Sequence, residues 1–67
     1  SEDINQKFRR SIYVSSDINE GDYFSENNIK IVRPGKGAPP DLYSVILGKQ
    51  AKKNLKKGTP LKIEYLL

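Results

Sequence analysis

The sequence predicts a small, mainly β domain of short strands and tight turns, with one or two single-turn helices and an internal pseudo-two-fold symmetry. Three observations lead there. Apolar and β-branched residues come in short runs, at 10–16, 29–33 and 62–66, the last two with strand-like alternation. Gly, Pro, Asn and Asp punctuate the chain between those runs. One pattern occurs twice, as Asp17-Ile18-Asn19-Glu20-Gly21-Asp22-Tyr23-Phe24 and as Asn54-Leu55-Lys56-Lys57-Gly58-Thr59-Pro60-Leu61. Both read Asx, aliphatic, two polar residues, Gly, two more, then a large apolar residue. Two similar loops, each turning an apolar side chain inward before a glycine, would fold against each other as halves of one unit. Coincidence is the other reading, because polar turns built on glycine are common.

The size permits one domain. A chain of 67 residues buries only about 60% of the surface that its unfolded form exposes. With no Cys and no His, neither disulfides nor the usual zinc clusters can staple it, so Ile, Val, Leu, Tyr and Phe must pack closely. No stretch approaches the roughly 18 apolar residues of a membrane span, and the start lacks the apolar core of a secretion signal. Residues 1–8 are mostly polar and are expected to be a flexible tail or linker, with the domain proper at 9–67.

The elements follow in order. Residues 10–16 read as a strand, and residues 17–22 break it, with Gly21 taking a positive φ. Tyr23 and Phe24 begin a second extended piece. Ser25-Glu26-Asn27-Asn28 looks like an N-cap opening one helical turn. Residues 29–33 form a strand, and 34–40 a loop. Residues 40–47 offer a short helix, with Pro40 suited to its first turn and Gly48 to its stop. Leu42, Tyr43, Ile46 and Leu47 share its apolar face. Residues 49–54 are extended, 55–61 turn, and 62–66 are expected to be the last strand.

Little here does chemistry. Without His or Cys there is no ready general base near neutral pH and no thiolate. Asp17, Glu20 and Asp22 cluster at a turn, but lack the ligand spacing of an EF-hand loop, and Asx-turn bonding accounts for Asp17 and Asp22 without a metal. Gly35-Lys36-Gly37 lacks the Lys-Ser/Thr ending of a phosphate loop. Five lysines between positions 49 and 57, with no acid among them, form a solvated face or an anion-facing one. They lack the interleaved aromatics of a nucleic-acid surface. Arg33 stands apart because it precedes proline, which holds its backbone extended. Pro34 and Gly35 fit the second and third places of a type II turn. A guanidinium fork on a preset backbone suits a carboxylate, a phosphate or an amide oxygen. The residues alone weigh slightly toward a solvated loop arginine.

From Arg10 to Leu66 the chain resembles the SAF domain, the antifreeze-like module at the C-terminus of bacterial sialic acid synthases. The resemblance is carried by Arg10-Ser11-Ile12-Tyr13-Val14, Asp17-Ile18-x-x-Gly21 and Phe24-Ser25-Glu26-Asn27-Asn28-Ile29. It continues through Val32-Arg33-Pro34-Gly35-x-Gly37 and Pro40-x-x-Tyr43-x-x-Ile46-Leu47-Gly48-Lys49, and closes with Ala51-Lys52-x-x-Leu55-x-x-Gly58-x-x-Leu61. Order and spacing together make it specific, although any one piece would be weak.

The resemblance implies a β-clip fold, a small pretzel-like domain with internal pseudo-symmetry. It implies a parent enzyme that condenses phosphoenolpyruvate with N-acetylmannosamine or a related sugar and releases phosphate. The chemistry would belong to a (β/α)₈ barrel outside these residues, which would carry a divalent Mn or Mg ion; the domain itself would need no cofactor. Within a domain-swapped homodimer, the domain would cap the partner's barrel, and Arg33 would reach the acylated amino group of the sugar. A cytoplasmic setting follows, with neither nucleic acid nor membrane as partner. The same fold occurs in fish type III antifreeze proteins, but a chain that is 30% charged lacks the weakly polar face that ice binding needs. The alternative is a stand-alone glycan- or protein-binding SAF module, such as that of a pilus or flagellar assembly protein.

Overall fold

The computed structural model describes residues 9–67, and the tail expected at 1–8 lies outside the described residues. The run of Ile, Tyr and Val after Arg10 forms strand β1, Ser11–Val14. It pairs antiparallel with β2, Ile29–Val32, with Ser11 opposite Val32 and Val14 opposite Ile29. On its other edge β1 meets the second copy of the repeated pattern. Val14 N donates to Thr59 O at 2.9 Å, Gly58 N to Val14 O at 2.8 Å, and Leu61 N to Ile12 O at 3.0 Å. β1 is therefore the central strand of its half, and Ile12 and Val14, on the face turned to the core, are buried.

The first copy of the pattern does the same to the other half. Ala51 N donates to Asp22 O at 2.8 Å, Gly21 N to Ala51 O at 2.8 Å, and Phe24 N to Lys49 O at 2.8 Å. The loops are thus exchanged, each pairing with the extended segment of the opposite half. They meet where Ile18 and Leu55 bond reciprocally, at 2.8 and 2.7 Å. The two Asx side chains cross at the same place. Asp17 Oδ1 accepts from Lys57 N at 2.8 Å, and Asn54 Oδ1 accepts from Glu20 N at 2.7 Å. Gly21 and Gly58 turn alike, with φ of +89° and +91°. The two-halves reading of the repeat is correct. The core lies between the halves and is filled by Ile12, Ile18, Phe24, Ile46, Leu55 and Leu61, among others.

Ser25 opens a single turn as expected. Asn27 N reaches its Oγ at 3.3 Å, Asn28 Oδ1 accepts from Ser25 N at 2.8 Å, and Ile29 N closes the turn onto Ser25 O at 3.2 Å. Asn28 thus supplies the reach-back half of a capping box in the place of Glu, while the Ser25 hydroxyl caps the residue before it. The short helix divides into a 3-10 turn, Pro40–Leu42, and one α-turn, α1, Tyr43–Ile46, before Gly48 at φ +88°. Ile46 is buried, and Leu42, Tyr43 and Leu47 pack against the core.

Two expectations fail. Residues 62–66 are not a strand. Ile63–Tyr65 is a 3-10 turn, closed by Tyr65 N to Lys62 O and Leu66 N to Ile63 O, both at 3.0 Å, and only Leu66 pairs, with Ala51. Strand alternation would put Ile63 and Tyr65 on one face. The turn instead lets the adjacent Tyr65 and Leu66 both pack on the core, leaving Ile63 56% exposed. The type II turn at Pro34 also fails, because the described glycines with positive φ are Gly21, Gly48 and Gly58, not Gly35.

Gly21→Ala and Gly58→Ala are strained by φ alone, since an added Cβ would meet nothing, and each should lose about 1–2 kcal/mol. Gly37→Ala should lose more, because its Cβ would collide with the Ile12 carbonyl oxygen. Urea unfolding of the three variants checks that order. The crossed Asx bonds give a second test by thermal melting. Asp17→Ala and Asn54→Ala should each cost about 0.5–1.5 kcal/mol. Asp17→Asn keeps the accepting oxygen and should stay within about 0.5 kcal/mol of the parent.

Candidate functional site

Arg33 follows the last residue of β2 and is exposed. The loop it opens is closed at its base by β1. Val32 pairs with Ser11, and Ala38, just past the loop, pairs with Ile12, whose N–H donates to Ala38 O at 2.9 Å. Loop 33–37 thus leaves and returns on neighbouring residues of the central strand. Ala38 N also donates to Leu61 O at 2.7 Å, tying the returning arm to the second loop.

Inside the loop lies the Ser11 hydroxyl. It donates to Pro34 O at 2.8 Å and accepts from Gly37 N at 3.0 Å. The Arg33–Pro34 peptide is cis. Gly37 does not serve as a turn residue. Its lack of a Cβ lets the chain pass directly against the Ile12 carbonyl. The anchoring of the Pro34 carbonyl by Ser11 is the structural substitute for the type II turn that the sequence predicts.

Sequence reasoning missed Ser11. Alternation along β1 points Ile12 and Val14 inward and would leave Ser11 with Tyr13 on the outer side. Ser11 is buried because loop 33–37 folds back onto it. The one signal was a small hydroxyl residue opposite the end of the strand that leads into a Pro-Gly loop.

Around Arg33 the surface is cationic and partly apolar. Residues 29–37 carry Lys30, Arg33 and Lys36 and no acid. Ile31 and Val32 are 37% and 38% exposed beside them. Such a tip can bind an acceptor oxygen or an anion by charge-assisted hydrogen bonds while apolar contact excludes water. The acidic cluster has a different role, because Asp17 caps the second loop and Asp22 Oδ2 accepts from Asn19 N at 3.0 Å. Among the described residues no group of three His, Cys, Asp or Glu side chains is placed to hold a metal. Nor is any helix long and apolar enough to cross a membrane. The lysines of 49–57 are exposed, and Lys53 Nζ stands 4.8 Å above the Tyr65 ring, so that one covers an aromatic face.

Comparison with known proteins defines the class. The SAF domain family matches residues 9–66, and the chain belongs to it. The chain is 50% identical over 58 residues to pseudaminic acid synthase of Campylobacter jejuni, covering 87% of this chain and 17% of that one. It is 41% identical over 49 residues to N,N'-diacetyllegionaminic acid synthase of the same species, covering 73% and 15%. A spore coat polysaccharide biosynthesis protein of Bacillus subtilis superposes with a TM-score of 0.87 at 28% identity, over all of this chain and 20% of that one. The antifreeze-like domain of human N-acetylneuraminic acid phosphate synthase superposes with a TM-score of 0.78 at 20% identity, over 85% and 73%, a likeness of fold. The fold is the antifreeze-like β-clip, and the two curated relatives named above are nonulosonic acid synthases. The chain spans less than a fifth of those relatives' length.

Proposed function

We propose that this chain is the SAF domain of a nonulosonic acid synthase and closes the sugar end of the active site in a partner subunit. The parent enzyme would join phosphoenolpyruvate, water and an N-acylated amino sugar into a nonulosonic acid and inorganic phosphate. Its (β/α)₈ barrel would hold the divalent Mn or Mg ion and do the bond-making, with this domain crossing over in a homodimer to supply one wall. Phosphoenolpyruvate as co-substrate argues for a cytoplasmic enzyme. The sequence resemblance named sialic acid synthases and an N-acetylmannosamine-like sugar. The 50% identity to a pseudaminic acid synthase moves the favoured product toward pseudaminic acid within the same chemistry.

The observation that carries this reading is the tip of β2. Arg33 projects from a loop whose two ends are fixed on the central strand, amid cations and half-exposed Ile31 and Val32. A guanidinium in that setting suits the carbonyl oxygen of an N-acyl group, a neutral acceptor that gains from a charged donor. Capping the barrel mouth would also exclude water, which strengthens each such bond.

In the full-length synthase, Arg33→Ala should lower kcat/KM for the sugar about ten- to hundredfold, the loss expected for one charged hydrogen bond of about 1.5–3 kcal/mol. KM for phosphoenolpyruvate should not change. Arg33→Lys should recover only part, since a point charge cannot reproduce the planar fork. Wild-type turnover and sugar KM in Arg33→Ala would rule the reading out.

A further inference from the structure

The geometry points to Ser11 as a positioning residue for Arg33, one that fixes where the guanidinium is presented without touching the sugar. This rests on the reading of Arg33 as the sugar contact. Among the described residues, Ser11 is the buried polar side chain of the core, 1% exposed. Burying a hydroxyl is unfavourable unless it is bonded, and Ile12 and Val14 already fill the space beneath β1. An alanine would be the cheaper occupant, so the hydroxyl matters for what it holds. It holds the two arms of one loop, bonding residues 23 and 26 positions further along the chain.

The consequence for Arg33 is geometric. On one side its backbone is fixed by Val32, paired with Ser11 in the sheet. On the other side Pro34 follows at once, with its carbonyl bonded to the Ser11 hydroxyl at 2.8 Å. The returning arm is held by the Gly37 N–H on the same oxygen and by Ala38 against Ile12. Ser11 thus secures both flanks of Arg33, through its backbone on one side and its hydroxyl on the other. Without the hydroxyl, the strand pairing and the Ala38 anchor remain, and the four residues between Arg33 and Ala38 lose their internal tie. The fold should survive while the direction of the Arg33 side chain becomes a distribution, and such misplacement is costly in a preorganised site.

The test is a double-mutant cycle in the full-length synthase, with Ser11→Ala, Arg33→Ala and the pair. Ser11→Ala should raise the sugar KM about five- to thirtyfold and leave kcat and the phosphoenolpyruvate KM near wild type. In the Arg33→Ala background it should raise the sugar KM no further. In the 67-residue chain, Ser11→Ala should speed hydrogen exchange of the Gly37 amide about tenfold and leave the Ile18 and Leu55 amides protected. If Arg33→Ala raises the sugar KM and Ser11→Ala does not, the positioning role is wrong and the site reading stands. An equal rise from Ser11→Ala with and without Arg33 overturns it too, by showing that Ser11 acts elsewhere. An Arg33→Ala enzyme with unchanged kinetics removes the site reading and the positioning role together.

Discussion

Ile18 and Leu55 exchange both backbone hydrogen bonds where the two loops cross, and the fold is organised around that exchange. The strands are four residues long, too short to hold a sheet alone. Stability comes from interlocking. The loop after β1 completes the second half, the loop after Asn54 completes the first, and neither half has its edge covered without the other. The side-chain bonds from Asp17 to Lys57 and from Asn54 to Glu20 close the crossing with the same reciprocity. Nearly every tie in the crossing joins residues far apart in sequence, so the backbone donors of one half depend on carbonyls of the other. The halves should therefore form together.

The symmetry runs further than the repeated pattern in the sequence. Val14 pairs with Ile29, and Ala51 pairs with Leu66. Ser15 N donates to Asn28 O, and its counterpart Lys52 N donates to Tyr65 O. Asn28 N closes onto Ser25 O just as Tyr65 N closes onto Lys62 O. The 3-10 turn at Ile63–Tyr65 is thus the counterpart of the turn opened by Ser25. That is why residues 62–66 depart from the strand that their alternation predicts. In the first half Ser25 and Asn28 announce the turn with capping side chains, which are legible. In the second half the same backbone is written Lys62-Ile63-Glu64-Tyr65, whose alternation imitates a strand and which carries no cap. Tertiary symmetry there overrides local pattern. The glycine turns were legible because only glycine takes φ near +90° without strain.

The candidate site divides the same way. Arg33 stands out as a candidate through its place before proline and the resemblance to SAF domains. Ser11 does not, because its burial depends on a loop more than twenty residues away. Gly37 could be mistaken for a turn glycine because sequence does not distinguish a need for positive φ from a need for no Cβ. Only the Ile12 carbonyl lying where that Cβ would stand separates the two. Local reasoning sees an exposed arginine at the mouth of a loop and misses the residues that meet that loop from behind.

The two halves share a backbone without sharing a surface. The first loop carries Asp17, Glu20 and Asp22, and the second carries Lys56 and Lys57 at the positions of Asn19 and Glu20. The symmetry therefore constrains what faces the core and the crossing, and leaves outward side chains free to differ. Arg33 lies on such an outward position, yet its loop is tied to Ser11 and Ile12, the most buried part of the first half. In a domain with little regular structure, Arg33 sits on a held backbone because its loop is anchored to the central strand. The entropy of ordering that loop is largely met by folding itself, so a partner that captures Arg33 would not have to supply it. In that sense the interlocked core serves to make a long, flexible side chain start from a rigid point.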